Sequence, residues 1–378
     1  MRNSLNRLRI LYGSHWYLPY SLGLVNELAH SHDVLLVTTN YALSQLGKEW
    51  KEMLSPKLSY EIEGDTRMRF QQPPGYYFRC YRAMTRRLRE FNPHIIHFQE
   101  THNPPLMLVF LTFLFRKKQP FILTIHDPEP HTGESIKGYA LRKPLLDKVR
   151  HRANRILTLS EFNKRELLRI YPKMNPERIH VVLHGVMDFF LRWKNPEYEE
   201  QKGNVLFFGR MQKYKGLDVL LKAWEKVKEI PYAKLVLAGT GPESDALENP
   251  IKGEKSITML NRFLEGPEVA RLMCEASCVV LPYTEATQSG VLAISVAFGK
   301  PNIVTRTGGL PEMVDDGINA LVIPPNDSDA LADALIRMLK DDGLRRHFSE
   351  ETRKLAETKL SWKTLTRQVE EMYYEAIQ

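Results

Sequence analysis

Short apolar runs alternate with longer amphipathic or small-residue stretches along most of this chain, and that rhythm predicts strands and helices in turn. In the second half, Asn204 to Phe208, Lys234 to Ala238, Ser256 to Leu264, Cys278 to Leu281, Asn302 to Thr305 and Ala320 to Ile323 read as strands. Helices are expected from near Leu217, over Glu268 to Ala276, from Ser289 through Phe298, over Ser328 to Lys340 and over Trp362 to Ile377. Gly239-Thr240-Gly241-Pro242 reads as a tight turn into a further helix, since a lone GxG without the third glycine is no dinucleotide fingerprint. The first half begins likewise: a strand at Leu8 to Tyr12, a loop Gly13 to Tyr17, a helix Ser21 to His30, a strand Asp33 to Thr38. Strands follow at His94 to Phe98, Phe121 to Ile125, Arg155 to Ser160 and Ile179 to Leu183, with Ser160 capping a helix through Ile170. Residues 41–75 carry no clear period, and 68–78 reads as a loop with aromatic anchors. Arg79 to Phe91 is expected as a helix with Tyr81, Met84, Leu88 and Phe91 on one stripe. Pro104 and Pro105 open an apolar helix to Phe115. Repeated strand–helix units imply α/β architecture with parallel sheets.

The chemistry gathers at strand ends. Cys278 to Leu281 ends at Pro282, a polar loop runs from Tyr283 to Gln288, and Ser289-Gly290 opens a helix stopped by Gly299-Lys300-Pro301. Such units bind ligands at the carboxyl ends of their strands, and a helix start with free N–H groups favours an anion. Ser289, Gly290 and Val291 are therefore candidate anion contacts, and Glu285 can accept hydrogen bonds from a polyol. Arg210 and Lys215 share one loop after the Asn204 to Phe208 strand, where two cations would suit a diphosphate. His126 ends the Phe121 to Ile125 strand, placed to bond a sugar hydroxyl or orient an acceptor, or simply to cap the next segment. Asp127-x-Glu129 has the spacing of a metal pair, but prolines flank it and no metal is expected.

Composition narrows the field. The chain has 378 residues, enough for two domains, with ordinary hydrophobic (43%) and charged (26%) fractions. Cys80, Cys274 and Cys278 make no disulfide framework, no signal peptide is expected ahead of the first strand, and the longest apolar run is too short to span a bilayer. Lys and Arg outnumber Asp and Glu by 28 to 17 in residues 1–190 (net +11) and fall short by 25 to 28 in 191–378 (net −3). The basic first half suits a solvated face, an anionic acceptor or a membrane surface; the helix with Arg82, Arg86 and Arg89 beside its apolar stripe is read mainly as packed on the sheet with solvated arginines, on which lipid headgroups could rest in addition. No stacked aromatic and basic module appears, so nucleic acid is not an expected partner.

The order aromatic-x-Glu285, a helix of small residues, Gly299-Lys300-Pro301 and Gly308-Gly309-Leu310-Pro311-Glu312, with Gly209-Arg210 and Lys215-Gly216 upstream, resembles family 4 glycosyltransferases. The resemblance implies a GT-B fold, two Rossmann-like doubly wound domains facing a deep interdomain cleft. It implies an N-terminal acceptor domain over 1–186, a linker over 187–202, a nucleotide-sugar domain over 203–360, and a terminal helix 361–378 crossing back to the first. It further implies metal-independent, retaining transfer from a UDP- or GDP-sugar to a saccharide or lipid-linked hydroxyl in cell-surface polysaccharide or glycolipid assembly. The enzyme would sit in the cytoplasm, at the inner membrane face. By the same resemblance Arg210, Lys215, Gly13 and the Ser289–Val291 helix start hold the diphosphate, Glu285 and His126 attend the transferred sugar, and Asn261 and Arg262 lie near the base. One departure stands out: the family's second Glu, eight residues after the first, is Ala293 here, which cannot accept a ribose hydrogen bond. A GT-B nucleotide-sugar epimerase and a non-catalytic binding subunit remain the alternatives.

Overall fold

Thirteen short strands, most of them buried along their length, pair into two parallel sheets in a computed structural model that describes residues 7–62, 74–101, 119–130 and 139–378. The first contains β1 (Arg9–Ser14), β2 (Asp33–Thr38), β3 (Ser59–Ile62), β4 (Ile95–Gln99), β5 (Phe121–Ile125), β6 (Arg155–Thr158) and β7 (Ile179–Val181), in the order 3-2-1-4-5-6-7. The second contains β8 (Asn204–Phe208), β9 (Lys234–Gly239), β10 (Ile257–Asn261), β11 (Cys278–Leu281), β12 (Asn302–Thr305) and β13 (Ala320–Ile323), in the order 10-9-8-11-12-13. Each order reverses once, between β1 and β4 and between β8 and β11, which opens a crevice at the carboxyl ends of those strands. The expected fold class is the observed one.

Strands covered by helices on both faces read as continuous apolar runs, and β5 and β11 are buried at every residue. Polar residues inside such strands need partners. His97 in β4 finds two, with Nδ1 2.5 Å from the Tyr373 hydroxyl and Nε2 2.7 Å from Thr124 Oγ1. Tyr373 belongs to the last helix, Trp362–Ile377, which packs on the helix Leu18–Ser31 of the first sheet. Its opening residue, Trp362, donates from the indole nitrogen to the Val186 carbonyl at 2.7 Å. Gly23 and Gly185 make room, since a Cβ on either would fall within 3 Å of that indole.

Several elements depart from expectation: β3 and the helix Tyr139–Arg152 were not anticipated. The basic helix spans Pro74–Phe91 and so starts five residues early, taking in residues 74–78 of the expected loop; proline is tolerated in a first helical turn. Met84 and Leu88 are buried on it as the stripe required, while Phe78, Arg79, Arg82, Arg86 and Arg89 are exposed. A helix at Asp342–Glu357, capped by Asp341 on the Leu344 N–H, was not anticipated; it buries only Arg345, Phe348, Thr352 and Leu355. The apolar helix expected over 104–115 lies outside the described residues. Among the described residues no helix is long and apolar enough to cross a membrane.

Candidate active site between the sheets

On the second lobe the site is built from three loops. Gly209, left-handed at φ +124, ends β8, and a Cβ on it would stand 3.2 Å from Val291 Cγ2, so the strand end abuts the start of the helix Gly290–Ala297. Arg210 follows and is exposed. The 213–216 turn then folds back on Pro282 to Thr284: Gly216, at φ +67, lies so close that a Cβ would be 1.9 Å from the Pro282 carbonyl, and the Thr284 N–H donates to the Tyr214 carbonyl at 2.8 Å. That packing buries Lys215 and sets its Nζ 3.7 Å from the centroid of the Tyr283 ring, a cation–π contact. The Tyr283 hydroxyl is 3.4 Å from Ser289 Oγ. Ser289 caps the helix by accepting from the Leu292 N–H, while Gly290 and Val291 have no carbonyl of their own helix to bond. Lys215, Tyr283 and the helix start are thus one connected cluster, with Arg210 beside it.

Glu285 sits half-buried two residues after Tyr283. Ala293 is fully buried and its carbonyl accepts from the Met187 N–H at 3.3 Å, so this position offers a ligand neither an acceptor nor a surface. Asn261 and Arg262 end the edge strand β10; both are exposed, and the hydrogen bonds of Arg262 go to Glu268 and the Phe263 carbonyl. That guanidinium pulls the Glu268 carboxyl down to about 2.

On the first lobe, Gly13 requires correction. It lies inside β1 rather than in the loop, paired with Val37 and Phe98, and a Cβ there would fall 1.8 Å from the Phe98 ring. The glycine answers to ring packing, and the loop proper starts at His15. His126 follows β5 as expected. Its Nε2 is 2.6 Å from Gln99 Oε1, and Gln99 Nε2 donates to Ser21 Oγ and the Tyr12 hydroxyl, so Nε2 carries the ring proton. Nδ1 keeps a lone pair that is enclosed and has no hydrogen-bond partner among the described residues. Burial holds the imidazole far below its ordinary range, at about 4, against the pull of Asp127 and Glu100. At neutral pH it is a neutral acceptor. The loop behind it is fixed by Arg150, which makes two 2.7 Å bonds to Glu100 and donates to the Pro128 carbonyl at 2.8 Å.

The carboxyl ends of the two sheets meet. A Cβ on Gly290 would fall 2.7 Å from the Tyr17 hydroxyl; burial and then the Asp127 charge push this phenol up to about 12, which keeps it protonated. Thr287 Oγ1 donates to Asp127, so that carboxylate serves the inter-lobe contact, and among the described residues no cluster of His, Cys, Asp and Glu is arranged for a metal. Ser160 Oγ donates to the Thr287 carbonyl at 3.3 Å, and Glu312 accepts from the Glu161 and Phe162 N–H groups. Tyr17, Asp127, Thr287 and Glu312 were missed as contacts between lobes, because their partners lie more than a hundred residues away; position at a strand's carboxyl end was the one signal they carried.

Two facing Rossmann-like sheets with such loops define a GT-B architecture. A family model described as Glycosyltransferase Family 4 matches residues 20–187, and one described as Glycosyl transferases group 1 matches 202–341. An uncharacterised glycosyltransferase of Methanocaldococcus jannaschii is 30% identical over 261 residues, 68% of each chain. A D-inositol 3-phosphate glycosyltransferase of Saccharomonospora viridis is 28% identical over 60% of this chain and 56% of its own. Against the first two curated relatives, the match spans 59% and 56% of their length. Among solved structures, Anabaena HepE in complex with UDP and glucose superposes with TM-score 0.72 at 17% identity, over 97% of this chain and 99% of that one. Sucrose-phosphate synthase from Thermosynechococcus elongatus gives 0.71 at 17%, over 98% and 99%. The chain belongs to the family 4 glycosyltransferases.

Proposed function

We propose that the protein transfers a sugar from a nucleoside-diphosphate donor to a hydroxyl acceptor with retention of configuration. The observation carrying this is the cluster of Lys215, Tyr283 and the Ser289 helix start beside Arg210, met from the other lobe by Tyr17, whose ring packs 5.7 Å from that of His126. Curated relatives are glycosyltransferases, and HepE was crystallised with UDP and with UDP-glucose, which supports a UDP-sugar, with a GDP-sugar the other choice. As the bond from anomeric carbon to phosphate oxygen breaks, negative charge grows on the diphosphate. Arg210, Lys215 and the N–H groups of Gly290 and Val291 stabilise it with charge the chain itself supplies, so transfer is metal-independent. The acceptor oxygen bonds the anomeric carbon on the face the phosphate leaves, and its proton passes to the departing phosphate oxygen. Glu285 holds donor-sugar hydroxyls, and His126 lies close to the transferred sugar. Asn261 and Arg262 attend the base. With Ala293 enclosed, the ribose gains no carboxylate from that position.

Arg210→Ala tests the reading: transfer from the best of a panel of UDP- and GDP-sugars, assayed with EDTA present, should fall roughly 10²–10³-fold. Near-normal transfer by that variant sinks the diphosphate role. Turnover of donor without acceptor would reassign the chain as an epimerase, and nucleotide binding without either reaction as a binding subunit.

The exposed face of Pro74–Phe91 supports an acceptor at a membrane surface, in cell-surface polysaccharide or glycolipid assembly on the cytoplasmic side. Phe78, Arg79, Arg82, Arg86 and Arg89 share that face, with the Arg82 guanidinium 5.7 Å from the Phe78 ring centroid. Vesicle sedimentation tests it, as set out below.

A further inference from the structure

Glu312 lies on the second lobe, in the single turn Leu310–Met313 after Gly308-Gly309. Its carboxylate reaches the first lobe: Oε2 accepts from the Glu161 N–H at 2.7 Å and Oε1 from the Phe162 N–H at 2.9 Å. These are the first two N–H groups of the helix Glu161–Ile170, and the third, on Asn163, is taken by the helix's own cap Ser160. A helix start leaves such donors without partners inside the helix, and a carboxylate there is also favoured by the dipole. Here most of that requirement is met by the opposite lobe.

The contact leads to both sides of the proposed site. Asn163 Nδ2 donates to the His126 carbonyl at 2.8 Å, so the helix that Glu312 grips also holds His126. On its own lobe, Gly308 and Gly309 lie against the carbonyls of Ala286 and Thr287, so close that a Cβ would fall 1.4 and 2.4 Å from those oxygens. That packing fixes the loop directly after Glu285. Gly309 also lies against Ser160, whose hydroxyl would be 2.8 Å from its Cβ.

We infer that Glu312 is a positioning residue which, by capping the helix of the other lobe, holds the Glu285 loop and His126 in register for transfer. This rests on the functional reading above. It goes beyond that reading by giving a residue remote from the diphosphate cluster control over the rate step rather than over nucleotide binding. When the lobes part, the carboxylate and both N–H groups must turn to water; closure restores two charge-assisted bonds.

Two variants test it. Glu312→Ala removes the acceptor. Glu161→Pro removes one donor and keeps the helix, because proline suits the first helical position and Ser160, at φ −161 and ψ 157, has the extended backbone that precedes proline. Backbone hydrogen exchange at residues 161 and 162 of the full chain should be slow in the parent protein and speed up at least tenfold in Glu312→Ala, with melting temperature and exchange elsewhere little changed. Transfer kcat should fall about tenfold or more in Glu312→Ala and severalfold in Glu161→Pro, with the double variant no lower than Glu312→Ala alone, while UDP and GDP affinity by calorimetry stays within about threefold. Unprotected 161–162 amides in the parent protein would overturn the inference, as would additive losses, or affinity falling in step with kcat. The exchange arm reads the latch without any transfer, so absence of transferase activity in the parent protein would count against the functional reading alone.

Discussion

Gly290 shows how one missing side chain sets the distance between lobes. Tyr17 approaches it so closely that alanine would bring a methyl within 2.7 Å of the phenol oxygen, with the Met187 methyl 3.3 Å away on another side. The hydroxyl is the nearest atom, so its removal should open enough space. Gly290→Ala alone should therefore cut transfer by an order of magnitude or more by holding Tyr17 off the helix start, at a cost typical of overpacking, about 1–3 kcal/mol. In a Tyr17→Phe background the same substitution should cost severalfold less. Equal losses in both backgrounds, measured as kcat/KM ratios, would show that the glycine acts through something other than this contact.

At the scale of elements, the helix Pro74–Phe91 divides its labour by face. Met84 and Leu88 hold it to the sheet, Arg87 is buried against Glu61, and the remaining arginines look outward. Only Arg86 among those has an i,i+4 acid, Glu90 at 3.9 Å, too long and too exposed to neutralise it. Each outward arginine near an anionic surface contributes about 1 kcal/mol. Sedimentation with phosphatidylglycerol vesicles in 50 mM salt should bind the protein, and Arg79→Glu with Arg82→Glu should reduce the partition at least tenfold. Binding that is indifferent to those charges, or that persists on neutral phosphatidylcholine vesicles, would remove the membrane face from the account.

For the molecule as a whole, His97, His126 and His184 make stability depend on acid. Burial lowers His97 to about 3 and His126 and His184 to about 4, against an ordinary 6.5. Below 6.5 the unfolded chain takes up protons that the folded chain refuses. The contribution is therefore full above pH 6.5 and lost as pH falls towards 4, each histidine adding up to about 1.4 kcal/mol per pH unit across that window. Urea unfolding should give a midpoint that drops steeply from pH 6.5 to 4.5, and His184→Gln should flatten the slope by about one proton. An unchanged slope in that variant would mean that His184 titrates normally in the fold.

Much of the fold was legible because parallel strands enclosed on both faces must be apolar runs: Phe121 to Ile125, Cys278 to Leu281, Asn302 to Thr305 and Ala320 to Ile323 were read to the residue. The capped helices after Ser160 and Ser289 were equally plain, since capping is a local bond. The helix Asp342–Glu357 escaped notice because two of its four buried residues, Arg345 and Thr352, are polar, leaving few apolar positions to mark the buried face. Candidate residues were placed at strand ends by the same local logic, and Gly13 was misread because its need for glycine comes from Phe98, a neighbour in the sheet rather than in the chain. The sequence alone determined most of the strands, the capped helix starts after Ser160 and Ser289, and the cations Arg210 and Lys215 at a strand end, all of them marked by local runs and caps. Only tertiary structure decided that Glu312 caps a helix of the other lobe, that Tyr17 meets Gly290, and that one His126 nitrogen has no partner among the described residues. Those depend on surfaces brought together from opposite halves of the chain, where no periodicity or spacing records the partner.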